Sequence, residues 1–228
     1  MFKVQSSKFK ELSRRRLPVL KFNLLYIYLI SYLVSGISYA DDCLPYKLNP
    51  EIEVLTPSWH KEVVQPLKPM ELLDGLHGNV VATLDNDYEV TGDTTSVEDG
   101  FCVSLKSVSA TIGYSGFQVG IDSRHAPESC VYNAILTHED EHIRAYLSVI
   151  DDYSDDIRTA VRAAANSVMP IFVRTGTEAE SALDSLHDSL QSHPELILMN
   201  QRIQAEQEIR NKRVDQVETG SHLKMCME

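Results

Sequence analysis

The chain has 228 residues, with 21 Lys and Arg against 33 Asp and Glu and a formal net charge of −12. That acidity excludes binding to nucleic acid through phosphate contacts, and the length suits one domain of moderate size, or one domain with a helical extension. Four cysteines, an even number, suit disulfides in a chain that leaves the cytoplasm.

The first forty residues do not read as part of the domain. Lys3, Lys8, Lys10, Arg14, Arg15, Arg16 and Lys21 make a basic leader, and Phe22 to Gly36 is nearly all apolar. Ser38 and Ala40 are small residues at the −3 and −1 positions of a cleavage site, so residues 1–40 are expected to be a signal peptide and Asp41 the mature N-terminus. The apolar run of about 15 residues is short for the ~20 that a spanning helix needs. The expectation is an exported protein, periplasmic or extracellular, with no stable membrane insertion after cleavage. Taking the leader's seven Lys and Arg and its one Glu from 21 and 33 leaves 14 basic and 32 acidic residues, a net charge of −18. Such a surface favours solubility more than any particular partner.

Residues 41–228 then read as a single domain. Glu51 to Thr56 alternates polar and apolar residues and suits a strand. Pro69 to Leu76 suits a short helix, and Asn79 to Thr91 another strand. Gly92 to Gly100 is acidic and rich in turn residues, which predicts a loop. Phe101 to Val108, Ala110 to Tyr114 and Phe117 to Asp122 read as three strands, the last two joined in a hairpin at Ser115-Gly116. A helix is expected from about Ser129 towards Ala165, with a bend in the acidic stretch Asp151 to Asp156. Pro170 ends it. Residues 177–228 read as a helical C-terminal part. One helix is capped by Thr177 with Glu180 and runs to about Gln191. A last helix follows Ser192, with an apolar stripe at Leu196, Met199 and Ile203 and a solvated stretch from Glu206 to Arg213.

The chemistry is concentrated in Thr137-His138-Glu139-Asp140-Glu141-His142, which contains HExxH. On a helix, His138 and His142 lie one turn apart on the same face. Val131, Ala134, Ile135, Ala145, Tyr146 and Val149 form an apolar stripe that includes both His, so the imidazoles point inward while Asp140 and Glu141 point away. Two inward His at this spacing suit one zinc ion, and Glu139 suits the general base that takes a proton from a zinc-bound water. On these three residues the chain resembles the zincin metallopeptidases. The resemblance implies one Zn2+ per chain, a peptide or protein substrate, and an α+β fold with a small antiparallel sheet packed on a long HExxH helix and followed by C-terminal helices.

Zincins hold zinc with a third protein ligand. Ser148 stands where a metzincin has its third His, and Ala145 where it has a Gly, so that subclass is excluded. Glu180 and Asp184 form E-x-x-x-D, which resembles the second gluzincin motif. That implies Glu180 as third ligand, with Asp184 orienting the first His. His187, Glu178, His125 and the Asp151, Asp152, Asp155 and Asp156 cluster are the other candidates. His187 is also placed to stabilise an oxyanion. Tyr146 is expected to be core packing. Three disulfide pairings are open. Cys102–Cys130 would tie a strand to the start of the motif helix, and Cys43–Cys226 would tie the two ends; this is the preferred pair.

The run Ser129-Cys130-Val131-Tyr132, then Ile135 and the HExxH, together with Arg210-Asn211 and Val214-Asp215, resembles an uncharacterised family of bacterial secreted zinc-dependent proteases. The reading from a different class is a non-catalytic exported metal-binding or cell-envelope interaction protein. It would need the two His but not Glu139, and its zinc would be closed by four protein ligands.

Overall fold

The computed structural model describes residues 41–67, 77–218 and 226. The expected leader, residues 1–40, and the expected helix at Pro69 to Leu76 lie outside them. The described strands are β1 (Glu51–Leu55), β2 (His60–Leu67), β3 (Gly78–Val97), β4 (Gly100–Asp122) and β5 (Ile171–Val173).

The sheet is built on β4, and the sequence of β4 shows why it can be so long. Val103 and Leu105, then Val108, Ala110, Ile112 and Tyr114, then Phe117, Val119 and Ile121 are all buried. This is a period of two with two phase breaks, at Lys106 and at Ser115. Both fall where the register against β3 shifts: Thr91 faces Ser107 but Gly92 faces Leu105, and Thr83 faces Gly116 but Leu84 faces Tyr114. Each extra residue is a β-bulge that returns the next apolar side chain to the same face. Full burial of each large apolar side chain stabilises the fold by about 1.5–3 kcal/mol, which holds this register. The expected hairpin at Ser115-Gly116 is therefore a bulge inside one strand. The expected loop at Gly92 to Gly100 is also strand, apart from the turn residues Glu98 and Asp99.

One edge of β4 pairs with β3 along its whole length. Its other edge is covered in relay: β5 at Phe101 to Val103, β1 at Ser107 to Thr111, and β2 at Gly116 to Asp122. The bulges sit in the gaps between these covering strands, where the edge bends. No strand pairs with the far edge of β3 among the described residues. β1 and β2 run parallel to β4, whereas β3 and β5 are antiparallel to it. The path β1-β4-β2 is thus parallel, which overturns the expected small antiparallel sheet. The segment now seen as β2 has little alternation and carries Pro66, which an edge strand tolerates. That is why the sequence does not announce it.

The link from β1 to β2 crosses over Gly113, whose φ of +153° suits glycine alone. A Cβ there would stand 2.9 Å from Pro57 Cδ and 3.1 Å from Thr56 Cγ2. Gly113→Ala is expected to lower stability by roughly 1–3 kcal/mol, the range for a strained backbone position. Chemical denaturation measures it, and an unchanged midpoint would show that the link can move aside.

The helices are α1 (Cys130–Asp152), α2 (Ser154–Ser167), α3 (Ala179–Gln191) and α4 (Pro194–Glu218). Ser129 caps α1, its Oγ accepting the Tyr132 N–H at 3.2 Å. The expected bend is a break at Tyr153, after which Asp155 and Asp156 occupy the first turn of α2. The capping box ahead of α3 is Thr175 with Glu178, two residues earlier than expected. Pro194 opens α4, where a missing N–H costs nothing. Leu186 and Leu190 of α3, Leu196 and Ile203 of α4, Ile143 and Val149 of α1 and Val161 of α2 join the apolar face of β4 in one core.

All four cysteines are bonded, but in neither expected pair: Cys43 joins Cys102, and Cys130 joins Cys226. The alternation of β4 explains the correction. Cys102 and Ser104 project from the face opposite Val103, where the N-terminal turn Asp41–Tyr46 lies and Ser104 Oγ donates to the Tyr46 carbonyl at 2.9 Å. The α1 helix packs on the other face, so Cys130 is out of reach of Cys102. Two disulfides suit an oxidising compartment. No helix among the described residues is long and apolar enough to cross a membrane.

Candidate metal centre

The motif lies in the middle of α1, with Glu139 4% and His142 3% exposed. Beneath it, Tyr146 packs edge-on against Tyr114 of β4 at 5.1 Å between ring centroids, and Phe117 lies 6.0 Å away. Tyr146 is thus packed against the core face, as its position predicts. On the outer side Asp140 pairs with Lys61 at 2.8 Å, and Glu141 pairs with Arg144.

The His138 and His142 Nε2 atoms are 3.2 Å apart. Asp215 Oδ1, near the end of α4, lies 3.2 Å from His142 Nε2 and 3.7 Å from His138 Nε2. Tetrahedral zinc with bonds of ~2.0–2.1 Å separates its donor atoms by roughly 3.3–3.4 Å. The triangle of two imidazole nitrogens and one carboxylate oxygen therefore fits a single ion of that size. These three residues form one of two groups among the described residues that can hold a metal ion.

A second layer orients the first. His142 Nδ1 donates to Asn211 Oδ1 at 2.9 Å, which leaves the Nε2 lone pair facing the triangle. Burial, helped by the neighbouring His138 ring, holds the pKa of His142 below its ordinary value against the opposing bonds to Asn211 and Asp215, so the ring is neutral and fit to be a ligand. Gln207, one turn before Asn211, donates to the Tyr114 hydroxyl. Arg210 ties α4 to the end of α1 through Asp152 at 2.8 Å and Ser148 Oγ at 2.9 Å.

Glu139 is a buried carboxyl. Burial, followed by the charges of Asp215 and Asp140, pushes its pKa up to about 8. The start of β3 lies directly against it: a Cβ on Gly78 would stand 2.5 Å from Glu139 Oε1 and 2.5 Å from Ile135 Cγ2. Only glycine lets the strand come this close.

The structure does not bring the expected third ligand to this place. Glu180 and Asp184 are exposed on α3, and neither belongs to the group around the His pair. His187 Nε2 donates to the Tyr88 carbonyl at 2.8 Å, a strand–helix tie. Glu178 is spent in its capping box, Asp152 on Arg210, and Asp155 on Arg158 at 3.0 Å. His125 is paired with His77. Asp215 takes the place given to Glu180, and two signals point to it. One is the run Arg210-Asn211 with Val214-Asp215, already noted for its resemblance. The other is the buried stripe of α4, which does not stop at Ile203 but continues in steps of four through Gln207 and Asn211, 8% and 5% exposed. The stretch expected to be solvated thus hides a polar continuation of the core face, and its next step is Asp215.

No family model matches the chain, and no match was found among curated proteins or solved structures.

Proposed function

We propose that the protein is a zinc-dependent peptidase of the exported compartment, hydrolysing peptide bonds with Glu139 as general base. The observation that carries this reading is the triangle of His138, His142 and Asp215 beside a buried carboxyl of raised pKa. Zinc held by these residues would supply a Lewis acid that lowers the pKa of water and polarises a carbonyl.

The chain's own residues account for the rest. His138 and His142 offer imidazole nitrogens from one helix face, and Asp215 offers a carboxylate from α4. Asn211 fixes the His142 ring. Glu139 takes the proton of the attacking water and passes it to the leaving amine. The side chain of Asp215 is 45% exposed, so the centre is open to solvent on that side. Among the described residues three donors meet at this centre, and the non-catalytic reading would have no need of Glu139 beside them.

The test is hydrolysis of a broad peptide library by the oxidised chain 41–228. Cleavage should stop on chelation and return when zinc is restored. A preparation that binds zinc at this centre yet cleaves nothing in the library would favour the non-catalytic protein.

A further inference from the structure

A second set of donors lies at the other end of the sheet from the β3–β4 turn. His77 directly precedes β3, Asp122 ends β4, and His125 follows three residues later. The antiparallel ladder brings them together: Gly78 faces Ile121, and the Asp122 N–H donates to the His77 carbonyl at 2.9 Å. A tight turn then folds His125 back, its N–H donating to the Asp122 carbonyl at 3.1 Å. His77 Nδ1 and His125 Nε2 end 3.0 Å apart. One ring nitrogen of each His and one carboxylate oxygen of Asp122 lie within 4.8 Å of one another.

We propose that His77, His125 and Asp122 form a second metal site, independent of HExxH, for a divalent ion of the zinc class. The first centre provides the comparison within the same molecule. There, two imidazole nitrogens 3.2 Å apart and one carboxylate converge on one point. The second set repeats that composition with nitrogens 3.0 Å apart.

Asp122 is fully buried, and its Oδ2 accepts from the Arg124 guanidinium, with Nε at 2.8 Å. Among the described residues its Oδ1 accepts the Arg124 backbone N–H, at 2.9 Å, and a carboxylate oxygen has a second lone pair to give. Two imidazoles and one carboxylate select zinc, nickel or copper over magnesium or calcium, which prefer all-oxygen sites. The site also adjoins the proposed catalytic base, since the residue after His77 is Gly78, packed on Glu139.

The experiment is zinc stoichiometry by equilibrium dialysis and elemental analysis on the oxidised chain 41–228. The variants are His77→Gln, His125→Gln and the double variant His138→Gln with His142→Gln. Melting without metal, unchanged from wild type, qualifies each variant, and His77→Asn and His125→Asn stand in for any that fails. Two equivalents in the wild type, falling to one in each of the three, are expected. One equivalent in the wild type that neither His77→Gln nor His125→Gln removes overturns the proposal. So does a wild type with two that both substitutions leave intact, or a double variant that binds none. The catalytic reading is judged separately, because loss of the HExxH zinc leaves the second equivalent in place.

Discussion

Glu139→Gln is expected to keep its zinc and lose its activity. The substitution preserves the size of the side chain and its packing against Gly78, and removes only the carboxylate. Loss of a general base costs ~10²–10⁴ in rate. Glu139 is not among the three donors, so metal content should match that of the parent. The metal-free proteins add a pH signature. Glu139 has a folded pKa of about 8, above its ordinary value, so the folded state binds more protons than the unfolded one as pH rises from the acidic range towards 8. Stability from this group is complete below the unfolded pKa and is lost through that window. The Gln variant has no such loss, so without metal it should melt above the parent at pH 8 and show the smaller difference at pH 5. Turnover of the variant equal to that of the parent, on any peptide that chelation protects, would remove Glu139 from the mechanism.

Asp215→Ala should strip the centre of zinc, while Glu180→Ala should leave it unaffected. Asp215 is the donor that converts a His pair into a three-point site, and nothing else among the described residues stands within reach to replace it. Loss of an outer hydrogen-bond partner costs about 10–100-fold in metal affinity. Asn211→Ala should fall in that range because it releases the His142 ring, and Asp215→Ala should exceed it. Competition against a chromophoric chelator ranks the variants directly. A drop with Glu180→Ala and none with Asp215→Ala would return the third ligand to α3.

The legible parts of the molecule are those that one element decides alone. The 3.6-residue pattern of α1, its start near Ser129, its break near Tyr153 and the stripe of Leu196, Met199 and Ile203 are set by neighbours in sequence. Pairing is not. Ser115-Gly116 has the composition of a turn and that of a bulge, and only the apolar face of β4, read across both breaks, tells them apart. The direction of β1 and β2 depends on which edge of β4 is left after β3 has taken the other. The third ligand raises the same difficulty. Glu180-x-x-x-Asp184 and Asn211-x-x-x-Asp215 both place two polar groups one turn apart, and the choice rests on which helix lies over α1. Cysteine pairing likewise follows from the face of β4 on which Cys102 stands.

The unpartnered edge of β3 bears on how the protein avoids its own copies. A strand of 20 residues whose far edge no strand covers among the described residues, although His187 ties its Tyr88 carbonyl to α3, is a template for another chain to add to. Asp87, Glu89 and Asp93 stand exposed along it, and Glu98 and Asp99 occupy its turn. Two such strands meeting edge to edge in antiparallel register would bring carboxylates against carboxylates, and like charges directly opposite destabilise a sheet pair. The acidity that first appeared as a bulk property of the chain is thus placed in part where it does most against aggregation. Its protection belongs to the ionised state, so acidification, which neutralises those carboxylates, is the condition under which this edge becomes adhesive.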